Sequence, residues 1–440
     1  MDYILFLIGL IMLCRKNLPW LFAIIILLAS TYLQLPLKPE MQLMVGPIHN
    51  VADTGLLLYL IFFAWSILKK GVFIKSPLII PVILFGAFLT INGLYDIANG
   101  TSFGDVIRYL RQWAYLSIIF IYPNINKTDI LKTIRIIFWI TFWCCAILIL
   151  QYFLGVTWIG YTTSYSSDGI NEFTRGAKPP VYSIVCFAIA FFNILGQKKV
   201  TQILSCIIFI FPTILTLKMS YFVTFVLVVV IFNLFNKRYS FLRLLKLFFI
   251  GAFGLAILMA IFPVFTQRLN ETLEQGRTIS STNQEDGNFT FRINHFSERL
   301  EYVLSDPVRS IRGMGYIQER NFHKKLFTIG LYNEDGDIVQ LDTGDIAWSL
   351  LIIRLGCLGL FFYLLLYIKC LSSLYQERDS SDLNLLFYSY MLASIVFMSF
   401  GNTVIADSEF FIIPLLITLT NENRTLHIQP QYRRSRNYAY

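Results

Sequence analysis

Residues 265–345 read FTQRLNETLEQGRTISSTNQEDGNFTFRINHFSERLEYVLSDPVRSIRGMGYIQERNFHKKLFTIGLYNEDGDIVQLDTGD. This stretch holds nine Lys/Arg and thirteen Asp/Glu, so it belongs in water. The sequence on both sides is apolar enough to live in lipid. One large hydrophilic loop late in the chain, in place of evenly short loops, predicts work on something at the membrane surface. Within it, Glu271 to Gly287 is rich in Ser, Thr, Asn, Gln and Glu and is expected to move freely. Asn294 is placed to cap a short helix over Ser297–Leu304, with Leu300, Val303 and Leu304 on one face. Asp306-Pro307 ends that helix, and Arg312-Gly313-Met314-Gly315-Tyr316 makes a tight turn. Such an ordered loop fits a lid over a membrane-facing cavity.

The 440 residues are 56% hydrophobic and 14% charged, against about 25% charged in an ordinary soluble domain. Stretches long enough to span a bilayer, about 17–25 residues, recur at 18–35, 51–68, 74–95, 106–122, 129–153, 179–196, 202–217, 219–236, 242–263, 346–368, 384–401 and 404–420. Tyr3 to Leu13 is short for a crossing. The expectation is an all-α, polytopic membrane protein of twelve or thirteen spans. Residues 1–264 form a helical bundle, 265–345 the large external loop, 346–420 the last three spans and 421–440 a basic cytoplasmic tail.

The net charge of +9 invites a nucleic-acid reading, but its distribution argues against one. Basic residues gather at alternate connections: Arg15 and Lys16, Lys69 to Lys75, Lys127 to Arg135, Lys198 and Lys199, Lys237 to Lys246, and Arg433 to Arg436. Cytoplasmic loops carry such an excess, which puts the long loop outside and the C-terminus inside. The start lacks a basic n-region and a small-residue cleavage site, so no signal peptide is expected. None of the seven cysteines falls in the long loop, and the four histidines lack metal-ligand spacing. Neither a metal nor another cofactor is expected.

The external face should then present Arg108, Arg111, Arg175, Lys178, Lys218, Arg292, Arg299, Arg309 and Arg312. Guanidinium groups hold phosphate oxygens in bidentate fashion, although arginines flanking spans also snorkel or pair with nearby carboxylates. Arg175 and Lys178 precede Pro179-Pro180, read as the first turn of a span, where a helix N-terminus favours an anion. Asp342 and Asp345 precede the span from Ile346, where a carboxylate can accept a hydroxyl proton or cap the helix. Arg354 is a functional suspect if buried in the membrane. His295 reads as a loop residue.

In order along the chain come Arg175-Gly176 before a middle span, Arg292, the Gly313-Met314-Gly315 turn and the closing stretch from Asp345 to Gly359. This pattern resembles the O-antigen polymerase and O-antigen ligase group of bacterial membrane glycosyltransferases. Ligases typically carry His-Asn where this chain has Asp345-Ile346, so the resemblance leans toward the polymerases. It implies a location in the bacterial inner membrane and a donor of undecaprenyl-diphosphate-linked oligosaccharide. The growing glycan would pass en bloc to a new lipid-linked unit, with a flippase and a chain-length regulator as partners. Arg175 and Arg292 would stabilise the departing diphosphate, with Lys178, Arg309, Arg312, Asp342, Arg108, Arg111 and Lys218 as further substrate-binding candidates. Asp345 would take the acceptor proton. The rival readings are a ligase acting on lipid A core, a lipid-linked oligosaccharide flippase and a non-catalytic assembly scaffold.

Overall fold

The computed structural model describes residues 2–30, 51–74, 76–156, 158–159, 163–167, 171–175, 179–215, 219–236, 288–317, 326–330, 346–401, 404–407 and 410–420. It is mostly helical. Among the described residues, five helices are long and apolar enough to cross a bilayer, which marks a membrane protein. They are α3 (Val51–Lys70), α4 (Ile79–Ala98), α6 (Lys127–Leu154), α12 (Ala347–Gln376) and α13 (Asp382–Val396, extended by a 3-10 turn over Met398–Phe400).

Shorter helices fill the bundle. They are α1 (Asp2–Cys14), α2 (Leu18–Ala29), α5 (Phe103–Leu110), α7 (Ser183–Phe191), α8 (Lys199–Leu215), α9 (Met219–Phe235) and α14 (Phe410–Thr420). Two more, α10 (Asn288–Leu304) and α11 (Pro307–Arg312), lie in the polar segment. The expected span at 242–263 lies outside the described residues.

The apolar start of the chain makes a helical corner. Helix α1, at 13 residues, rises about 20 Å, well short of a hydrocarbon core of about 30 Å. Arg15, Lys16 and Asn17 turn the chain into α2, whose residues from Leu21 to Ala29 are all buried. A helix apolar on every side belongs in a core, and α1, α3 and α6 pack around it.

The expected span at 106–122 is a composite. Helix α5 hands over directly to a ten-residue 3-10 helix, Arg111–Phe120. Together they rise about 32 Å. Trp113 in this piece wedges between Phe85 of α4 and Tyr363 of α12, at ring separations of 5.0 and 5.9 Å.

Two expectations are corrected. Arg175 does not stand at a helix start: it closes β2 (Asn171–Arg175), paired antiparallel with β1 (Thr163–Ser167), and α7 begins only at Ser183. Pro180 biases Pro179 away from helical geometry, and neither proline offers an N–H. The chain therefore turns through Pro180–Ser183 before winding. This ribbon is an exception to the all-helical expectation.

The helix expected at Ser297–Leu304 begins at Asn288 instead, with Asn294 in its interior. Packing of α10 against α12 offsets a weak local start signal. Leu304 is exposed, and the buried stripe runs His295, Arg299, Val303 at i, i+4, i+8.

Candidate functional site

The polar segment meets the bundle along α12, and the joint is a break in that helix. Gly356 leaves helical geometry (φ 63°, ψ −171°) inside an otherwise continuous run. A break frees carbonyls that the next turn would have used. One of them, on Ile353, accepts the N–H of Met314 at 2.7 Å. Backbone meets backbone here: a Cβ on Gly313 would lie 2.6 Å from the Ile353 oxygen, and one on Gly356 only 2.4 Å from the Gly313 nitrogen. Both glycines have positive φ, so both the space and the dihedrals exclude a side chain. The Gly-x-Gly turn and the closing stretch, distant in sequence, therefore interlock.

The same turn is tied to α4. Asp96, nearly fully buried, accepts from the Arg312 guanidinium and, at 2.7 Å, from the Tyr316 N–H. Arg312 Nε also donates to Asn92 Oδ1 (2.7 Å), and Asn92 Nδ2 donates back to the Arg312 carbonyl (3.1 Å). Asp96 lies in the last turn of α4, where the helix dipole disfavours an anion. Arg312 offsets that cost. Tyr316 stacks on Tyr109 of α5 at 4.4 Å, and burial pushes its phenol pKa up.

One turn into α12 lies the polar cluster that best merits the name of a site. Ser349 Oγ lies 3.0 Å from His295 Nδ1, and both residues are fully buried. Burial, with Arg299 nearby, lowers the His295 pKa from 6.5 to about 3, so the imidazole is neutral at ordinary pH. Its Nε2 has no hydrogen-bond partner among the described residues. Next to it Trp348 donates its indole N–H to Ser399 Oγ at 2.8 Å.

Arg292, one turn before His295 on α10, reaches the same end of the bundle. A Cβ on Gly401 would sit 3.4 Å from its Nη1 and 2.4 Å from Ser220 Cβ. Bare backbone at Gly401 thus lets α9 and α10 close on one spot. A guanidinium, a neutral imidazole and hydroxyls, largely removed from water, can hold an oxyanion and orient a hydroxyl.

Arg299 is fully buried yet structural. It pairs with Glu298 at 2.5 Å and lies over the Phe327 ring at 4.1 Å. Glu298 also accepts from Thr328 N (2.6 Å), Thr328 Oγ1 (2.7 Å) and Ile329 N (3.2 Å), clasping residues 326–330 to α10.

The other predicted cations separate by partner. Arg111 pairs with buried Asp53 at 2.5 Å, Arg108 with Asp105 at 3.6 Å, and Arg309 with Asp306 at 3.8 Å while lying over Tyr302. With Arg312 on Asp96, four of the substrate-binding candidates already meet carboxylates. Arg354, buried, donates to the Ile317 carbonyl, so it helps fix the turn below Tyr316. The backbone of Arg175 pairs with Thr163 at the end of the ribbon. Lys178, Lys218, Asp342 and Asp345 lie outside the described residues.

His295 is therefore not a loop residue. It was missed because it looks polar on a segment expected to face water, and Ser349 because a lone hydroxyl in an apolar span gives no signal of its own. The available signal was the i, i+4, i+8 spacing of His295, Arg299 and Val303. No protein-family model and no curated protein matches the chain.

Proposed function

We propose that this chain is a membrane glycosyltransferase that polymerises undecaprenyl-diphosphate-linked oligosaccharide units at the external face of the bacterial inner membrane. In this reading the chain crosses the bilayer twelve or thirteen times, the polar segment is external and the C-terminus is cytoplasmic. The observation that supports it most is the buried His295–Ser349 pair at the head of α12, with Arg292 one turn before His295 on α10 and reaching Gly401, and with Asp345 four residues before Ser349 in sequence. A cation among apolar helices suits a diphosphate whose lipid tail stays in the bilayer.

The reaction moves one glycosidic bond. The acceptor hydroxyl oxygen attacks the anomeric carbon of the donor glycan, and the bond from that carbon to the diphosphate breaks. The hydroxyl proton goes to the Asp345 carboxylate. Undecaprenyl diphosphate leaves with its negative charge stabilised by Arg292 and Arg175. His295, neutral, positions the hydroxyl of Ser349. No nucleotide sugar is consumed.

Reconstitution with purified lipid-linked units tests the reading. The native protein should give a ladder of longer glycans, and Arg175→Ala, Arg292→Ala or Asp345→Ala should each abolish it at unchanged protein level. Transfer to a lipid A core acceptor would identify a ligase instead. Movement across the bilayer without new bonds would identify a flippase. A normal ladder from all three variants would overturn the site assignment.

A further inference from the structure

At the other end of α6 from the ribbon lies an open groove of ≈ 860 Å³, between the α1–α2 corner and the first half of α6. Its rim carries Arg15 and Lys16 from the corner and Lys132 and Arg135 from α6, with Asp129 the single carboxylate. The four cations are exposed, and no ion pair engages them among the described residues. The wall holds three tryptophans: Trp20 from α2, and Trp139 and Trp143 from α6. They are 44%, 39% and 62% exposed, a large area of indole to leave uncovered.

The order along α6 matters. Positions 132, 135 or 136, 139 or 140, and 143 follow one helical face, so charge gives way to aromatic surface down a single stripe. Trp143 lies eight residues beyond Arg135, about 12 Å along the axis. Tryptophans of an interfacial belt sit level with the headgroups. With Arg135 at headgroup level, Trp143 would lie at the depth of acyl chains, given a hydrocarbon half-thickness of about 15 Å. Thr133 Oγ1 donates to the Pro19 carbonyl at 3.3 Å and ties the two walls together. The groove is thus bounded by elements bonded to each other.

We propose that this groove binds an anionic phospholipid, with its phosphate among Arg15, Lys16, Lys132 and Arg135 and an acyl chain along Trp139 and Trp143. Charge complementarity selects the headgroup, and the aromatic wall selects a lipid over a free anion. The charge alternation predicts that this rim is cytoplasmic, the leaflet in which basic clusters attract anionic lipid. The site is separate from the α10–α12 cluster and does not depend on the glycosyltransferase reading.

The test uses the full chain in mild detergent and quenching of tryptophan fluorescence by brominated lipids. The chain has seven tryptophans, so the signal is the difference between the native protein and Trp139→Phe/Trp143→Phe. Brominated phosphatidylglycerol should quench that share at a several-fold lower mole fraction than brominated phosphatidylcholine. Neutralising these cations should weaken the preference at low salt. Lys132→Gln/Arg135→Gln should therefore nearly erase it while leaving phosphatidylcholine quenching unchanged. If that variant misfolds, Arg15→Gln/Lys16→Gln reports from the opposite wall. Equal quenching by the two lipids in native protein, or an unchanged preference in a folded charge variant, overturns the proposal. Displacement of phosphatidylglycerol by millimolar inorganic phosphate would show a free-anion site and overturn it too.

Discussion

Replacing Gly356 with alanine tests whether the break in α12 is held by its docking partner. The native conformation (φ 63°, ψ −171°) lies in a region that side chains avoid, costing about 1–3 kcal/mol. The new Cβ would also lie 2.4 Å from the Gly313 nitrogen and 2.6 Å from the Ile311 oxygen. Both are backbone atoms, so no rotamer change relieves the overlap, and overpacking adds about 1–3 kcal/mol. The sum is about 2–6 kcal/mol against the docked state. If α12 straightens instead, alanine recovers about 1 kcal/mol of helix propensity. The Met314 N–H then loses its acceptor on Ile353. Either route exposes that amide. Hydrogen exchange at Met314 should accelerate at least about thirtyfold, the equivalent of the lower bound, and the melting temperature in micelles should fall by several degrees. Gly86→Ala is the control, since nothing lies within 4 Å of its Cβ. It should be neutral or stabilising by up to about 1 kcal/mol. Unchanged exchange at Met314 and unchanged melting in Gly356→Ala would refute the interlock.

Asp96→Ala should destabilise the protein by about 3–5 kcal/mol, because it strands the Arg312 guanidinium beside α4. Asp96→Ala/Arg312→Met should cost clearly less than the two single changes added, as a double-mutant cycle in denaturant would measure. His295 has a native pKa of about 3 against 6.5 when free. Between those values the unfolded chain binds the extra proton, so this residue's contribution is fully present above pH 6.5 and is lost as pH falls toward 3. The fall in stability over that window should be steeper in native protein than in His295→Gln, and equal slopes would show a charged or exposed imidazole. Arg299→Met should melt lower than the native protein by removing the partner of Glu298, and Glu298→Gln should release residues 326–330 to limited proteolysis; resistance equal to native would exclude the clasp.

Helix content and membrane character were legible because apolarity summed over about twenty residues needs no knowledge of neighbours. Val51–Lys70, Lys127–Leu154 and Ala347–Gln376 were readable on that basis. The glycines of the Gly313-Met314-Gly315 turn were also readable as a special backbone site. Their purpose was not, because the Ile353 carbonyl that Gly313 approaches becomes available only when α12 breaks, and the Asp96 carboxylate beside Gly315 comes from α4. Arg175 was misjudged for a local reason: two prolines look like a helix start until the chain turns beyond them. Arg111 and Arg312 looked like ligands for an anion, but their carboxylates, Asp53 and Asp96, come from helices far away in sequence.

By itself the sequence determined that this chain partitions into a bilayer, which stretches wind into helices and where charge collects, since each depends on local composition. Tertiary structure alone decided which polar side chains turn inward. His295 and Arg299 have the same intrinsic preference for water in any segment. They are buried here because Ser349 and Phe327 meet them from other parts of the chain, with Glu298 pairing beside Arg299, and the cost of burying a polar group is set by the partners that surround it.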